Sequence, residues 1–374
     1  MRPSRLLLRL EASIKGARTI FEADCLRAER VCYLARLGHF NEVRIELAVL
    51  HGRYDARPNA EISAWLNLAE GLTIYFTGLG SPTTDKLKRS LALCSAIGLS
   101  SLQGLVLAWI AQFDYVRVDM DSMARNVRKS LQVAATDHHS ARSRACLVVA
   151  QALHLAGRPD LALRWYQKAR DHAVSDGDDA TTSALMHNMG WLRMMCLRQS
   201  VLTGKEGVLG GEHALMNSES TVHFDAFLGD LSWEGLKPIL RAQILSLQGS
   251  FPEALNLYEQ HLTATESEGT SRLQANLWAD KAWCLAKTGQ FSEARESASL
   301  AIASLTFETH VDDRAAAHSR LAQVFEVLAD VEGEAKQLQL AREAWESYER
   351  LQEHIFSLIG RLTEDGTDSA LKSK

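Results

Sequence analysis

Apolar residues recur at three- and four-residue intervals along most of the chain, and short turn-forming segments interrupt that pattern at a spacing near forty. Leu277, Trp278, Ala282 and Leu285 keep the helical interval before Gly289, and Ala294, Ala298 and Ala301 keep it afterwards. The segments Gly157 to Leu163, Gly249 to Leu255 and Gly289 to Arg295 share one order: glycine, any residue, a ring, two spacers, alanine. From Gly249 to Gly289 is 40 residues, from Gly38 to Gly157 is 119, or three such periods, and from Gly157 to Gly249 is 92, or two periods and an insertion. Weaker turns fall at the skipped positions, Gly78 and Val118-Asp119, and a last one is expected at Asp330 to Gly333. No stretch alternates with period two, so no strands are expected. A fixed period of this size predicts an all-α fold, a right-handed α-solenoid of about eight stacked helical hairpins.

Two stretches depart from the rhythm. Gly204, Gly207, Gly210 and Gly211 are too closely spaced for a continuous helix and predict a loop or hinge. Beyond the last turn, Ala335 to Ile359 reads as one long amphipathic helix that caps the open end of the array. The expected organisation is therefore 1–202, N-terminal repeats; 203–232, an irregular glycine-rich region; 233–362, C-terminal repeats with the capping helix; and 363–374, a disordered tail.

Trp278, Ala282, Leu285, Gly289, Phe291, Ala294 and Ala301 stand in the order and spacing of the tetratricopeptide-repeat signature. Ala150, Leu153, Gly157, Ala162, Tyr166 and Ala169 repeat it, as do Ala242, Leu245, Gly249, Ala254 and Tyr258. The chain thus resembles the tetratricopeptide (TPR-like) superfamily. Its period near 40 resembles the helical-repeat domain of large bacterial transcription activators of the maltose-regulator type. That resemblance implies that the first helix of each hairpin lines a concave face.

Transferred by register, the concave face would carry Trp65, Tyr75, Trp109, Gln112, Gln151, His154, His187, Asn188, Trp191, Gln243, Trp283 and Lys287. Amides can hydrogen-bond an extended backbone, and indoles offer large contact area with few rotors to freeze. Such a row suits a peptide or helix of a partner protein. The function read from it is a protein–protein interaction scaffold or adaptor; the alternative is a regulatory sensor module that takes a small ligand or signalling peptide in a bacterial signalling or transcription-control pathway.

The remaining chemistry narrows the choice by exclusion. Residues 1–57 carry 11 Lys+Arg against 7 Asp+Glu, a balance of +4, and residues 251–374 carry 12 against 21, a balance of −9. These unlike ends could join copies head to tail. The overall charge of −5 gives no basic surface for nucleic acid. Arg117, Arg125, Arg128, Lys129, Arg142 and Arg144 form the densest basic group, but Asp114, Asp119 and Asp121 lie among them. The six cysteines are scattered in apolar runs with no C-x-x-C pair, as in a reducing compartment, and no apolar run reaches the length of a membrane span, so a cytoplasmic protein is expected. Asp137-His138-His139 lacks further ligands at metal spacing and reads as a loop between helices. Gly78-Leu79-Gly80 lacks the third glycine of a dinucleotide loop, and Thr203-Gly204-Lys205-Glu206 lacks the Ser or Thr of a phosphate loop. No enzyme, metal or cofactor is expected.

Overall fold

The computed structural model describes residues 4–78, 82–204, 236–265, 273–306 and 309–364. Sixteen helices and no strand occur among them. They are α1 (Arg5–Gly16), α2 (Ile20–Arg36), α3 (Phe40–Tyr54), α4 (Ala60–Gly78), α5 (Pro82–Ala96), α6 (Ser100–Val116), α7 (Met120–Val133), α8 (His139–Leu155), α9 (Pro159–Asp176) and α10 (Asp179–Thr203). After the glycine-rich stretch come α11 (Leu236–Leu247), α12 (Phe251–Thr265), α13 (Gln274–Lys287), α14 (Phe291–Ala303), α15 (Val311–Val327) and α16 (Val331–Glu364). The chain divides into two compact units, one of Met1–Met186 with His223–Ser232 and His354–Lys374, the other of His187–Val222 with Trp233–Glu353.

Within the first unit the hairpins are α2/α3, α4/α5, α6/α7 and α8/α9; within the second they are α11/α12, α13/α14 and α15/α16. The all-α helical-repeat architecture is as the periodicity predicts. Most of the expected glycine-rich region lies outside the described residues, as do the tail from residue 365 and the rest of the dinucleotide-like and phosphate-like segments.

The forty-residue rhythm has a conformational cause. Gly38, Gly157, Gly249 and Gly289 all adopt positive φ, between 68° and 84°. In each case the residue after the glycine donates its N–H to a carbonyl five residues back, as in His39 to Leu34, Arg158 to Leu153, Ser250 to Leu245 and Gln290 to Leu285, all 2.9–3.0 Å. This is the Schellman closure, whose left-handed residue glycine adopts without a Cβ penalty. Val118 and Ala329 occupy the same conformation, with φ of 61° and 55°, and make the same bond, Asp119 to Asp114 and Asp330 to Phe325. The last turn therefore centres on Ala329, not on Gly333. Asp330 caps α16 by accepting from the Gly333 N–H at 3.0 Å, which places Gly333 inside the helix's first turn.

Helix pairs approach closely where small residues meet. Ser90 Oγ donates to the Ala64 carbonyl at 2.7 Å, and forty residues later Ser130 Oγ donates to the Gly104 carbonyl at the same distance. A Cβ on Gly104 would lie 3.0 Å from that of Ala134, so this crossing leaves no room for a larger residue. Ser143 Oγ makes the corresponding bond to the Ala169 carbonyl at 2.9 Å, from the first helix of its hairpin. Among the described residues no helix is long and apolar enough to cross a membrane.

Candidate functional site

The first helices of the hairpins in the first unit present one wall of side chains. Glu29, Cys32, Tyr33 and Arg36 come from α2, Trp65 and Leu72 from α4, Leu105 and Trp109 from α6, and Ser140 and Arg144 from α8; with Asp178 and Thr181 they surround a cavity of about 40 Å³. Each set recurs at three, four or seven residues, the spacing of a single helix face. Helix α1 roofs the cavity with Leu6 and Leu10, which are 6% and 3% exposed and pack on Tyr33, Leu37 and Ala180.

The entry of α1 is tied down by polar contacts. Ser4 Oγ lies 2.5 Å from Tyr33 Oη, the Leu6 N–H donates to the Gly177 carbonyl at 3.0 Å, and Arg9 pairs with Asp176 at 2.6 Å. Gly177 has φ of +70°, and a Cβ there would meet that of Arg5 at 2.9 Å, so the docking depends on glycine at this position.

Charge inside the cavity is unevenly satisfied. Arg36 donates to Asp178 Oδ1 at 2.9 Å and to Thr181 Oγ1 at 2.6 Å, while Asp178 also accepts from the Thr181 N–H and hydroxyl. Arg144 is 7% exposed, and its guanidinium carbon sits 4.0 Å from the Trp109 ring centroid. Burial, with Arg36 nearby, pushes its pKa down to about 9, which still leaves it charged at neutral pH. Burial, with Asp176 adding repulsion and Arg9 partly offsetting it, raises the Glu29 carboxyl to about 7.

Six of the expected groove residues belong to this unit. Trp65 and Trp109 line the cavity. Gln112 lies one turn on from Trp109, and Gln151 two turns on from Arg144, so both share those inner faces. They are 4% and 8% exposed, and neither side-chain carbonyl oxygen has a hydrogen-bond partner. Tyr75 sets its ring edge-on to Phe113 at 4.6 Å, and His154 turns to Tyr166 of α9, centroid to centroid 6.3 Å, within its own hairpin.

The other six belong to the second unit. His187 and Asn188 are half-buried there. Trp191 packs against the second unit's core, and Trp283 stacks over Arg320 at 5.2 Å with Lys287 on the same ring at 5.2 Å. Gln243 Nε2 donates to Asp280 Oδ2 at 3.3 Å. Asp280 also pairs with Arg198 and Arg320, each at 3.2 Å, and all three are at most 3% exposed. Sequence reasoning named Gln243 but missed the three charges around it, along with Arg36 and Arg144 as cavity-lining residues. The available signal was charge on apolar helix faces at the repeat interval, 37 residues from Gln243 to Asp280 and 40 on to Arg320.

The dense basic group is not one surface. Arg142 turns back to the Ala135 and Ala134 carbonyls at 2.7 and 3.0 Å, completing the end of α7, while Arg144 is buried in the cavity. His138 caps α8 by accepting from the Ala141 N–H at 3.2 Å. His310, Asp312 and Asp313 bring one ligand atom each within 4.8 Å, but Asp313 already accepts from Asn276 Nδ2 at 2.6 Å.

No protein-family model and no curated protein sequence matches the chain. Solved structures do. A Rap protein complexed with Competence and Sporulation Factor superposes with a TM-score of 0.58 over 92% of each chain, at 12% identity. The fold resembles that of the Rap protein. At this identity the likeness establishes the TPR-like helical-repeat fold alone.

Proposed function

We propose that the inner faces of the first helices bind an extended peptide segment of a partner protein, and that the chain acts as a scaffold, adaptor or regulator through that binding. The carrying observation is the pair Gln112 and Gln151, buried amides on the adjacent helices α6 and α8 whose carbonyl oxygens have no donor. An unmet buried acceptor costs about 1–3 kcal/mol, so it is a poor choice for a purely structural position. A peptide backbone supplies N–H donors along its length, and Trp65 and Trp109 line the cavity on the same inner helix faces. In the second unit, taken by itself, the same reading assigns partner contact to His187, Asn188, Trp191, Gln243, Trp283 and Lys287. That the Rap neighbour was solved with a bound factor agrees with it.

The test is a peptide display selection on the full chain, followed by affinity measurement with Gln112→Leu and Gln151→Leu. Because leucine removes an unsatisfied acceptor at similar volume, the fold should be as stable or more so, while peptide affinity drops about tenfold per site. Unchanged affinity in both variants would refute the assignment.

A further inference from the structure

One cation in the first unit's cavity lacks a partner of its own. Arg144 makes no hydrogen bond and no ion pair among the described residues, although it is buried and lines the cavity. Buried arginines are rarely left this way, because the planar fork of the guanidinium is costly to desolvate without an acceptor. The neighbouring groups cannot serve it. Asp178 is engaged by Arg36 and Thr181, and Trp109 covers one face of the guanidinium, leaving the N–H edge for a ligand. Glu29, the other carboxyl on the wall, is held toward its neutral form.

We propose that Arg144 is a carboxylate-binding subsite, taking either the free C-terminus or an Asp or Glu side chain of the bound segment; this rests on the peptide reading above. A carboxylate matches the guanidinium fork with two parallel bonds. The space of about 40 Å³ suits that small planar group, and the Asp178 carboxylate on the wall disfavours a dianion such as phosphate. Leu6 and Leu10 of α1 line the same space, so the bound chain approaches Arg144 beside or beneath that helix.

The first test needs no peptide. Thermal unfolding of the full chain is compared in sodium acetate and in sodium chloride, at pH 7 and equal ionic strength. Acetate should raise the transition of the wild type by about 1–3 °C, as expected for a weak ligand of the native state. Arg144→Gln should abolish the difference, and Arg144→Lys, which keeps the charge without the fork, should retain part of it. The second test passes two random hexapeptide pools, one of free acids and one of C-terminal amides, over the immobilised chain. Tenfold better retention of the free acids assigns a C-terminal carboxylate. Equal retention of the pools with enrichment of Asp or Glu assigns a side chain, and either preference should vanish in Arg144→Gln. An acetate effect that survives Arg144→Gln, or peptide retention indifferent to carboxylates, overturns the subsite. An Arg144-dependent acetate effect with no peptide retained keeps the subsite and sinks the peptide reading.

Discussion

Removing Asp280 should destabilise the second unit more than any surface charge change. Its carboxylate, 3% exposed or less, lies between Arg198 and Arg320 at 3.2 Å each and accepts from Gln243 at 3.3 Å. In Asp280→Ala the two guanidiniums remain 2% exposed with no counter-charge between them. Breaking a buried pair in this way costs about 3–5 kcal/mol, and here two partners lose their acceptor together. An internal control is Asp330→Ala, because the Arg295–Asp330 pair is 3.8 Å long with side chains 53% and 36% exposed and should contribute under about 1 kcal/mol as an ion pair. Asp330 also caps α16, so a second control is Arg295→Gln, which keeps that cap and gives up the ion pair together with the Arg295 bond to the Leu328 carbonyl at 3.0 Å; a loss of about 1 kcal/mol is expected. Urea unfolding followed by tryptophan fluorescence reads the effect, since Trp283 stacks over Arg320. If Asp280→Ala lies within 1 kcal/mol of the wild type by the same assay, the charge-balance argument for this cluster is wrong.

Four further outcomes follow from the first unit and its turns. Glu29 has a native pKa of about 7 against an ordinary value of 4.5, so the native state holds more protons than the unfolded state between those values. Stability should therefore fall as pH rises from about 4.5 to 7, by about 1–2 kcal/mol after allowance for the partial exposure of the side chain, and Glu29→Gln should flatten the profile. Leu10→Ala, at a site 3% exposed, should cost about 3 kcal/mol and speed amide exchange in α1, whereas Leu8→Ala, 48% exposed, should be near neutral. Gly177→Ala forces a Cβ against Arg5 in a left-handed conformation, so α1 should become susceptible to limited proteolysis. Val118→Gly should raise the melting transition, because a β-branched residue at φ of 61° gives up about 1–2 kcal/mol that glycine only partly spends on backbone entropy.

How far the sequence reached depended on whether a feature repeats. Helical hairpins were legible because the glycine turn recurs, and it recurs because a Schellman closure demands one left-handed residue every period. That demand is conformational rather than chemical, which is why Val118 and Ala329 meet it without glycine and why the last turn, expected at Asp330 to Gly333, centres on Ala329. Helix register tells which residues share an inner face, not which of them meet a ligand. Trp65 and Trp109 face the cavity because their helix faces repeat, but His154 departs because a local partner, Tyr166, lies within reach of its ring.

The paired charges were beyond register reasoning for a different reason. Arg198, Asp280 and Arg320 are 82 and 40 residues apart, and an isolated charge on a helix reads as solvent-exposed until its partner is known. The same holds for α1, whose amphipathic pattern shows that it covers something but not that Gly177 and Asp176 hold it down. A repeat array multiplies this blindness, since every first helix offers its neighbours the same face and only the odd residue on it carries the chemistry. In the first unit that residue is Arg144. Arg36 and Asp178 satisfy each other, so the Arg144 charge is left over on the same set of inner helix faces as the two amide oxygens that lack donors. Groups that stabilise a fold are normally consumed by it. Among those that are left over are one guanidinium and two amide oxygens on the adjoining helices α6 and α8, groups that a ligand can use.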